Sequence, residues 1–104
     1  MNINSYADFT DTTWKKDTLN KELFHAVSGL VEEVGEFHGL LKRFYREGDW
    51  DNKKAVKELG DIIYYWVRLC RRLGVLPGDV LQANIDKLTD RKERGVLLGS
   101  GDNR

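Results

Sequence analysis

The sequence contains few residues of the kinds that build disulfide frameworks and soft-metal sites. Its 104 residues include one cysteine, two histidines and one proline. A single cysteine excludes a disulfide or a thiolate metal site within one chain, and zinc is a poor match without a histidine cluster. Cys70 itself lies in an apolar helical stretch, where a small core residue is the simplest interpretation.

The sequence also has no net charge and no long apolar run. Lysine plus arginine and aspartate plus glutamate number 17 each, so the formal net charge is zero and no broad surface for a nucleic-acid polymer is predicted. No apolar run approaches the roughly 20 residues that span a bilayer, and no signal peptide opens the chain. We therefore expect a cytoplasmic protein without a membrane partner.

Signals for β-strands are weak, whereas apolar residues recur at helical spacings of three and four along most of the chain. One all-α domain over residues 1–104 is predicted, an antiparallel bundle of about four helices. A chain this short buries its apolar surface poorly alone, so we expect oligomerisation to complete the bundle.

Caps, glycines and the single proline predict where the helices begin and end. The predicted helices run from Tyr6 to about Trp14 (capped by Asn4 or Ser5), from Thr18 or Asn20 to between Tyr45 and Gly48, from Asn52 to Leu73, and from Pro77 to Arg91.

The second predicted helix carries an unusual group of acids. Within the stretch GLVEEVGEFHGLLKR, Glu32, Glu33 and Glu36 lie within about one turn, so their carboxylates share one patch of the helix. Glu58 and Asp61 form a second pair at i,i+3 in the next helix. The first group interrupts an apolar surface instead of opposing it; its flanking, core-like residues are Leu30, Val31, Val34, Phe37, Leu40 and Leu41.

Acidic runs on helices are most often solvated faces, and that interpretation stands for the three glutamates taken alone. Two acidic groups on neighbouring helices favour a cation site over a solvated face, because partly buried carboxylates must be neutralised, pair with a base or hold a cation. Magnesium prefers oxygen ligands, and manganese accepts the same ones. The sequence therefore predicts a Mg²⁺ site, with Mn²⁺ as an alternative, between these two helices.

Cationic residues downstream offer a complement to this site. Lys87, Arg91 and Arg94 recur at spacings of four and three, so they share a helix face. A solvated basic helix end is one interpretation. The other is a phosphate clamp, since arginine grips phosphate with two hydrogen bonds and lysine acts as a point charge. Acids for a metal and bases for phosphate, without a nucleophile motif, indicate metal-assisted phosphoryl chemistry.

Two further residues are candidates for contacts with a substrate. Asn84 lies one turn before Lys87, where its amide can hydrogen-bond a sugar or a phosphate. Trp14 can stack on a planar base, as can Phe9, Phe37 and Trp50. Packing in the core or at a subunit interface is the competing interpretation of each aromatic residue.

The spacing of the acids is similar to a known family signature. EEVGE at Glu32 to Glu36, followed by ELGD at Glu58 to Asp61, resembles the EExxE…ExxD pattern of MazG-like nucleoside triphosphate pyrophosphohydrolases. These belong to the all-α NTP pyrophosphatase superfamily, together with dimeric dUTPases and phosphoribosyl-ATP pyrophosphatases. The later ANIDKLTDRKERG and the closing GVLLGSGDNR also resemble segments of small members. The likeness extends from about Leu23 to the end of the chain.

This resemblance implies an enzyme that uses Mg²⁺ to hydrolyse a nucleoside triphosphate to the monophosphate and pyrophosphate, by attack at the α-phosphorus, in nucleotide-pool house-cleaning. It also implies a homodimer or a homotetramer with sites near subunit interfaces. Two alternatives remain open. One is a specialised relative with a dUTPase-like or phosphoribosyl-ATP pyrophosphatase-like activity. The other is a non-catalytic helical module that binds a metal or a nucleotide.

The motif also implies roles for individual residues. Glu33, Glu36, Glu58 and Asp61 are the implied metal ligands. Glu32 is implied either to bind a second metal ion or to orient the attacking water, so Glu32 and Glu33 are the candidate catalytic residues. Lys87 and Arg91 are implied to face the phosphates, with the basic, glycine-rich tail, including Arg94 and Arg104, closing over them.

Overall fold

Four α-helices make up the fold of residues 1–95, which are the residues that the computed structural model describes. In chain order they are α1 (Ile3–Thr10), α2 (Leu19–Glu47), α3 (Asn52–Leu73) and α4 (Pro77–Glu93). No strand occurs in this part of the chain, so the predicted all-α class is confirmed. The predicted closing tail, with Arg104, lies outside the described residues.

The predicted ends of the two central helices are confirmed, and each end has a physical cause. α2 begins directly after Thr18 and ends at Gly48, whose φ of 72° is the left-handed conformation that glycine adopts without strain. The side chain of Asp51 caps α3 by accepting the backbone N–H of Lys54 at 3.0 Å, and Gly74, with φ of 71°, ends it. α4 begins at the proline as predicted and continues two residues past the predicted end.

The first helix begins earlier than its predicted start at Tyr6. Asn2, and not Asn4 or Ser5, is its N-cap. The Asn2 side chain accepts the backbone N–H of Ser5 at 2.8 Å, while the Ser5 hydroxyl accepts the backbone N–H of Asn2 at 3.0 Å. This reciprocal pair satisfies two helix-terminal donors, so Ile3 becomes the first helical residue.

The first helix also ends earlier than its predicted end at Trp14. Its last residue is Thr10, whose hydroxyl donates to the carbonyl oxygen of Ala7 at 2.7 Å. The hydroxyl of Thr12 donates to the Phe9 carbonyl at 2.7 Å in the same way. Such side-chain bonds compete with the helical pattern, which explains why the threonine-rich stretch leaves the helix.

α2 and α3 form an antiparallel hairpin. Glu36 of α2 lies beside Glu58 of α3, and Gly29, earlier in α2, lies beside Tyr65, later in α3. A Cβ atom at Gly29 would lie 2.3 Å from the Tyr65 ring, so glycine permits this approach. The α2 residues that face α3 form an inner stripe with spacings of three and four: Glu22, Ala26, Gly29, Glu33, Glu36 and Leu40.

A second stripe on α2 is exposed. The outer stripe alternates spacings of three and four and consists of Phe24, Val27, Val31, Val34, His38, Leu41 and Tyr45. Of the core-like residues predicted beside the acids, only Leu40 is buried, whereas Val31, Val34 and Leu41 are at least half exposed. The expectation of burial is wrong for those three in the single chain, because α3 covers one side of α2 only.

Polar contacts join α1 to both α3 and α4. Arg68 donates to Thr10 and Asp11, and Arg71 donates to Asp8 at 2.7 Å and to Asp11, so two arginines of α3 hold the end of α1. The side chain of Asn4 accepts the backbone N–H at position 78 at 2.9 Å, which joins α1 to the start of α4. Along residues 1–95, no helix has the length and apolar character needed to cross a membrane.

The contact between Gly29 and Tyr65 predicts opposite effects for two glycine substitutions. Gly29→Ala should lower the free energy of unfolding by about 1–3 kcal/mol, because the new methyl group overlaps the tyrosine ring. Gly39→Ala should raise it by up to about 1 kcal/mol, because no atom lies within 4 Å of its new methyl group and alanine favours a helix. Urea denaturation of both variants measures the difference, and equal effects would contradict the contact.

Candidate metal centre

Three carboxylates from two helices meet in the α2–α3 interface. Glu33 and Glu36 lie one turn apart on the inner stripe of α2, and Glu58 faces them from α3. One oxygen atom from each lies within 4.8 Å of the other two. Glu58 is buried, Glu33 is half-buried and Glu36 is exposed, so the cluster opens to solvent on one side.

Two oxygen atoms of this cluster are buried without a hydrogen-bond partner, Oε2 of Glu33 and Oε2 of Glu58. A buried, unpaired carboxylate oxygen is costly, and the neighbouring carboxylates add repulsion instead of relieving it. A hard divalent cation would both bond to the unpaired oxygens and offset the repulsion between the carboxylates, because Mg²⁺ and Mn²⁺ take carboxylate oxygens as ligands. The donor set therefore fits the metal that the sequence predicts.

The crowding of these carboxylates changes their acidity. Burial, the closeness of Glu58 and the charges of Glu36 and Asp61 raise the pKa of Glu33 from 4.5 to about 7. Glu58 also raises the pKa of Glu36, while the ammonium group of Lys54 acts in the opposite direction. A cation bound between the carboxylates would favour their charged forms and reverse these shifts.

The two other predicted acids lie beside the cluster. Asp61 is exposed one turn after Glu58, and its charge acts on Glu33 and Glu36, although it is outside the compact group of three. Glu32 is exposed next to Glu33. The structure thus brings three of the five acids together and places two at the rim, where their predicted roles stay predictions.

An aromatic wall of four residues, Trp14, His25, Tyr64 and Tyr65, adjoins the acids. The rings of Trp14 and His25 are stacked with centroids 4.4 Å apart, and Tyr65 lies 5.9 Å from His25. Burial raises the pKa of Tyr65, and so do the charges of Glu33 and Glu32. The Tyr65 ring packs against Gly29, one turn before Glu33. Sequence spacing does not indicate His25, because its contact with Trp14 depends on how residues 11–18 fold back.

Trp14 itself is largely enclosed, with 7% of its surface exposed. Its indole N–H donates to the buried carboxylate of Glu22, which also pairs with Arg72 at 3.2 Å, and the guanidinium of Arg68 lies 4.9 Å from the Trp14 ring. The sequence predicts contact between Trp14 and a substrate base, whereas here its ring packs against protein groups. No sequence motif indicates that Glu22 and Arg68 contact Trp14.

The predicted substrate-binding residues of α4 lie on a separate surface. Asn84 and the half-buried Lys87 line a hollow of about 340 Å³. Arg91 is 3% exposed, and Arg94 pairs with Asp90 at 2.9 Å. Within residues 1–95, α4 contacts α1 and α3, and no Cα atom of α4 lies within 8 Å of one in α2. The fold alone does not bring these residues against Glu33 and Glu36.

The helical hairpin and its carboxylate cluster define an all-α protein with a candidate divalent-cation centre. A family model described as the MazG nucleotide pyrophosphohydrolase domain matches residues 21–96. The match spans both acidic motifs and most of the chain. The protein therefore belongs to the MazG nucleotide pyrophosphohydrolase family, as its sequence signature predicts.

A curated relative supports the family relationship over a similar length. The Gene 37 protein of Mycobacterium phage L5 is 40% identical over 87 residues, which are 79% of this chain and 76% of the relative. Its name does not describe an activity. No solved structure matches the chain.

The raised pKa of Glu33 predicts how stability depends on pH. Its folded pKa of about 7 exceeds the ordinary 4.5, so the folded state binds the proton more tightly than the unfolded state. That stabilisation is complete below about pH 4.5 and is lost as the pH rises through about 7. The Tm of the metal-free protein should therefore fall between pH 5 and 8, and Glu33→Gln should flatten the fall.

Differential scanning calorimetry with a chelator measures this dependence. Glu47→Gln is the control, because Glu47 is an exposed carboxylate at the far end of α2 and should keep the wild-type slope. The lowered pKa values of Asp11 and Glu22 act below this pH range, since stability from a lowered pKa is lost only as pH falls through it. Identical slopes for Glu33→Gln and the wild type would contradict the prediction.

Proposed function

We propose that this protein hydrolyses nucleoside triphosphates to the monophosphate and pyrophosphate, with Mg²⁺ as cofactor and Mn²⁺ as a substitute, in nucleotide-pool house-cleaning. One observation carries the proposal. The two acidic motifs of a MazG family chain converge on a three-carboxylate cluster with two unsatisfied buried oxygens. A helical module that binds no cation has no need of such a costly arrangement.

Glu33, Glu36 and Glu58 would hold the metal, with Asp61 joining them from the rim. When bound, the metal polarises the phosphoryl oxygens and favours ionisation of a coordinated water molecule. The exposed carboxylate of Glu32, beside Glu33, is proposed to orient the attacking water. As the family resemblance implies, water would attack the α-phosphorus and pyrophosphate would leave.

Positive charge must stabilise the departing pyrophosphate. Lys87 and Arg91 are the proposed groups, with Asn84 bonding the sugar or a phosphate and Arg94 at the periphery. Because α4 does not approach α2 of its own chain within residues 1–95, these groups would come from α4 of a second chain. The half-exposed Lys87 shares a hollow with Asn84, so these two are directly accessible to a ligand. Arg91 is buried, so its proposed contribution is the electrostatic attraction of its positive charge near the end of α4.

A panel of nucleotides tests the proposed activity. Pyrophosphate should be released from deoxynucleoside triphosphates with Mg²⁺ or Mn²⁺, with dUTP and phosphoribosyl-ATP included to reveal a specialised relative. Glu36→Gln and Asp61→Asn should lower kcat/KM by about two orders of magnitude or more, because the metal is lost. Absence of pyrophosphate release from every nucleotide would overturn the proposal and favour a binding module.

Two measurements keep that experiment interpretable. Glu47→Gln removes an exposed carboxylate of the same helix outside the cluster and should retain wild-type kinetics. Circular dichroism of Glu36→Gln and Asp61→Asn should give wild-type helix content, so that lost activity is not lost folding.

We also propose that the outer stripe of α2 pairs with its copy in a second chain, forming a homodimer or the dimeric unit of a homotetramer. Alternating spacings of three and four are the pattern of a helix seam that packs against another helix. Phe24 and Val31 are 76% and 65% exposed, although both are large apolar residues. The single chain has few large side chains in its core, so association would supply burial that it lacks.

A charge placed in the outer stripe tests this assembly. Leu41→Glu should shift the mass measured by light scattering from a dimer or tetramer towards the monomer, because a carboxylate is costly in an apolar seam. Lys53→Glu puts the same group on an exposed position of α3 and should leave the mass unchanged. A monomeric wild-type protein at micromolar concentration would contradict the proposed pairing.

A further inference from the structure

His25 has one covered ring face and a solvent-exposed position. Its ring stacks on Trp14 with an interplanar angle of 17°, and the residue as a whole is exposed. Because Trp14 covers one face of the imidazole, the surface by which this residue is exposed comprises the remaining face and the ring edges. A flat ring presented in this way can accept a second planar ring.

The His25 ring belongs to the same surface as the carboxylates. His25 and Glu32 are seven residues apart on α2, so they point to nearly the same side of the helix about two turns apart. Tyr65 lies between them, since its ring is 5.9 Å from His25 and packs against Gly29, one turn before Glu33. The distance along α2 from Glu33 to His25 is about 12 Å, a suitable scale for an extended nucleotide.

Buried polar contacts hold the stacked pair in place. Glu22, 4% exposed, accepts the indole N–H of Trp14 and the backbone N–H of Asp17, and it pairs with Arg72. A stacking surface that is already fixed loses little conformational entropy when a ligand binds. Trp14 therefore supports the surface, while His25 presents it.

The geometry points to the exposed face of His25, backed by Trp14 and flanked by Tyr65, as the stacking site for the nucleotide base. This inference rests on the proposed function, because it takes the phosphates to lie at the carboxylate cluster. Every base has a π-face, so stacking here is tolerant of base identity. The expected ligand class is therefore both purine and pyrimidine nucleoside triphosphates, with the base contributing affinity more than selectivity.

Calorimetric titration with α,β-methylene deoxynucleoside triphosphates in Mg²⁺ tests the stacking site without turnover. His25→Ala should weaken binding of both a purine and a pyrimidine analogue by about 5- to 150-fold. It should leave the affinity for inorganic tripolyphosphate, which has no base, within about twofold of the wild type. His25→Phe retains a flat ring and should recover most of the lost nucleotide affinity.

The outcomes separate this inference from the proposed function. A wild-type enzyme that releases pyrophosphate, together with unchanged nucleotide binding by His25→Ala, overturns the stacking site alone. Equal weakening of nucleotide and tripolyphosphate binding also overturns it, since the loss would then be structural. Failure of the wild type to bind any of the analogues overturns both.

Discussion

Repulsion among carboxylates inside a helix–helix interface is the constraint that shapes this protein. Where α2 meets α3, Glu33 and Glu36 face Glu58 instead of apolar partners, so that part of the hairpin gives up hydrophobic burial and gains like-charge contacts. The remainder of the interface must offset this loss. It does so partly by close packing, with the Tyr65 ring lying directly over Gly29.

Charge is divided along the hairpin in a way that a net charge of zero conceals. Near the α2–α3 turn, Arg43 pairs with Glu47 and Asp49. Further into the interface, the carboxylates of Glu33, Glu36 and Glu58 face one another. At the other end, Arg68 and Arg71 bind acids of the α1 region, and Arg72 binds Glu22. These three arginines thus fasten the first helix and the segment after it, and they pair with acids outside the carboxylate cluster.

The sequence predicts what depends on local rules and misses what depends on how segments meet. The bounds of α3 follow from the Asp51 cap and Gly74, and the convergence of Glu33 and Glu36 follows from helical periodicity. The start of α1 is missed because three adjacent polar residues can each serve as a cap, and only geometry selects Asn2.

Tertiary contacts account for the remaining differences in the site. The pairing of Trp14 with His25 is set by the path of residues 11–18, for which periodicity has no rule. The burial of Arg91 is likewise hidden, since a basic residue near a helix end is ordinarily solvated. The exposure of Val31 and Val34 has a different cause: their apolar pattern predicts packing, but no helix within residues 1–95 covers them.

Because α2 presents one stripe to α3 and another outwards, most of its circumference is already committed to packing or charge. A substitution in the inner stripe that shifts the α2 backbone also shifts the outer stripe, because the two stripes share one helix and lie within its diameter. We therefore expect sequence differences among related chains to concentrate in α1, in residues 11–18 and in α4, which lie outside the α2–α3 interface. The 29-residue helix α2, which carries both stripes, should tolerate the fewest changes.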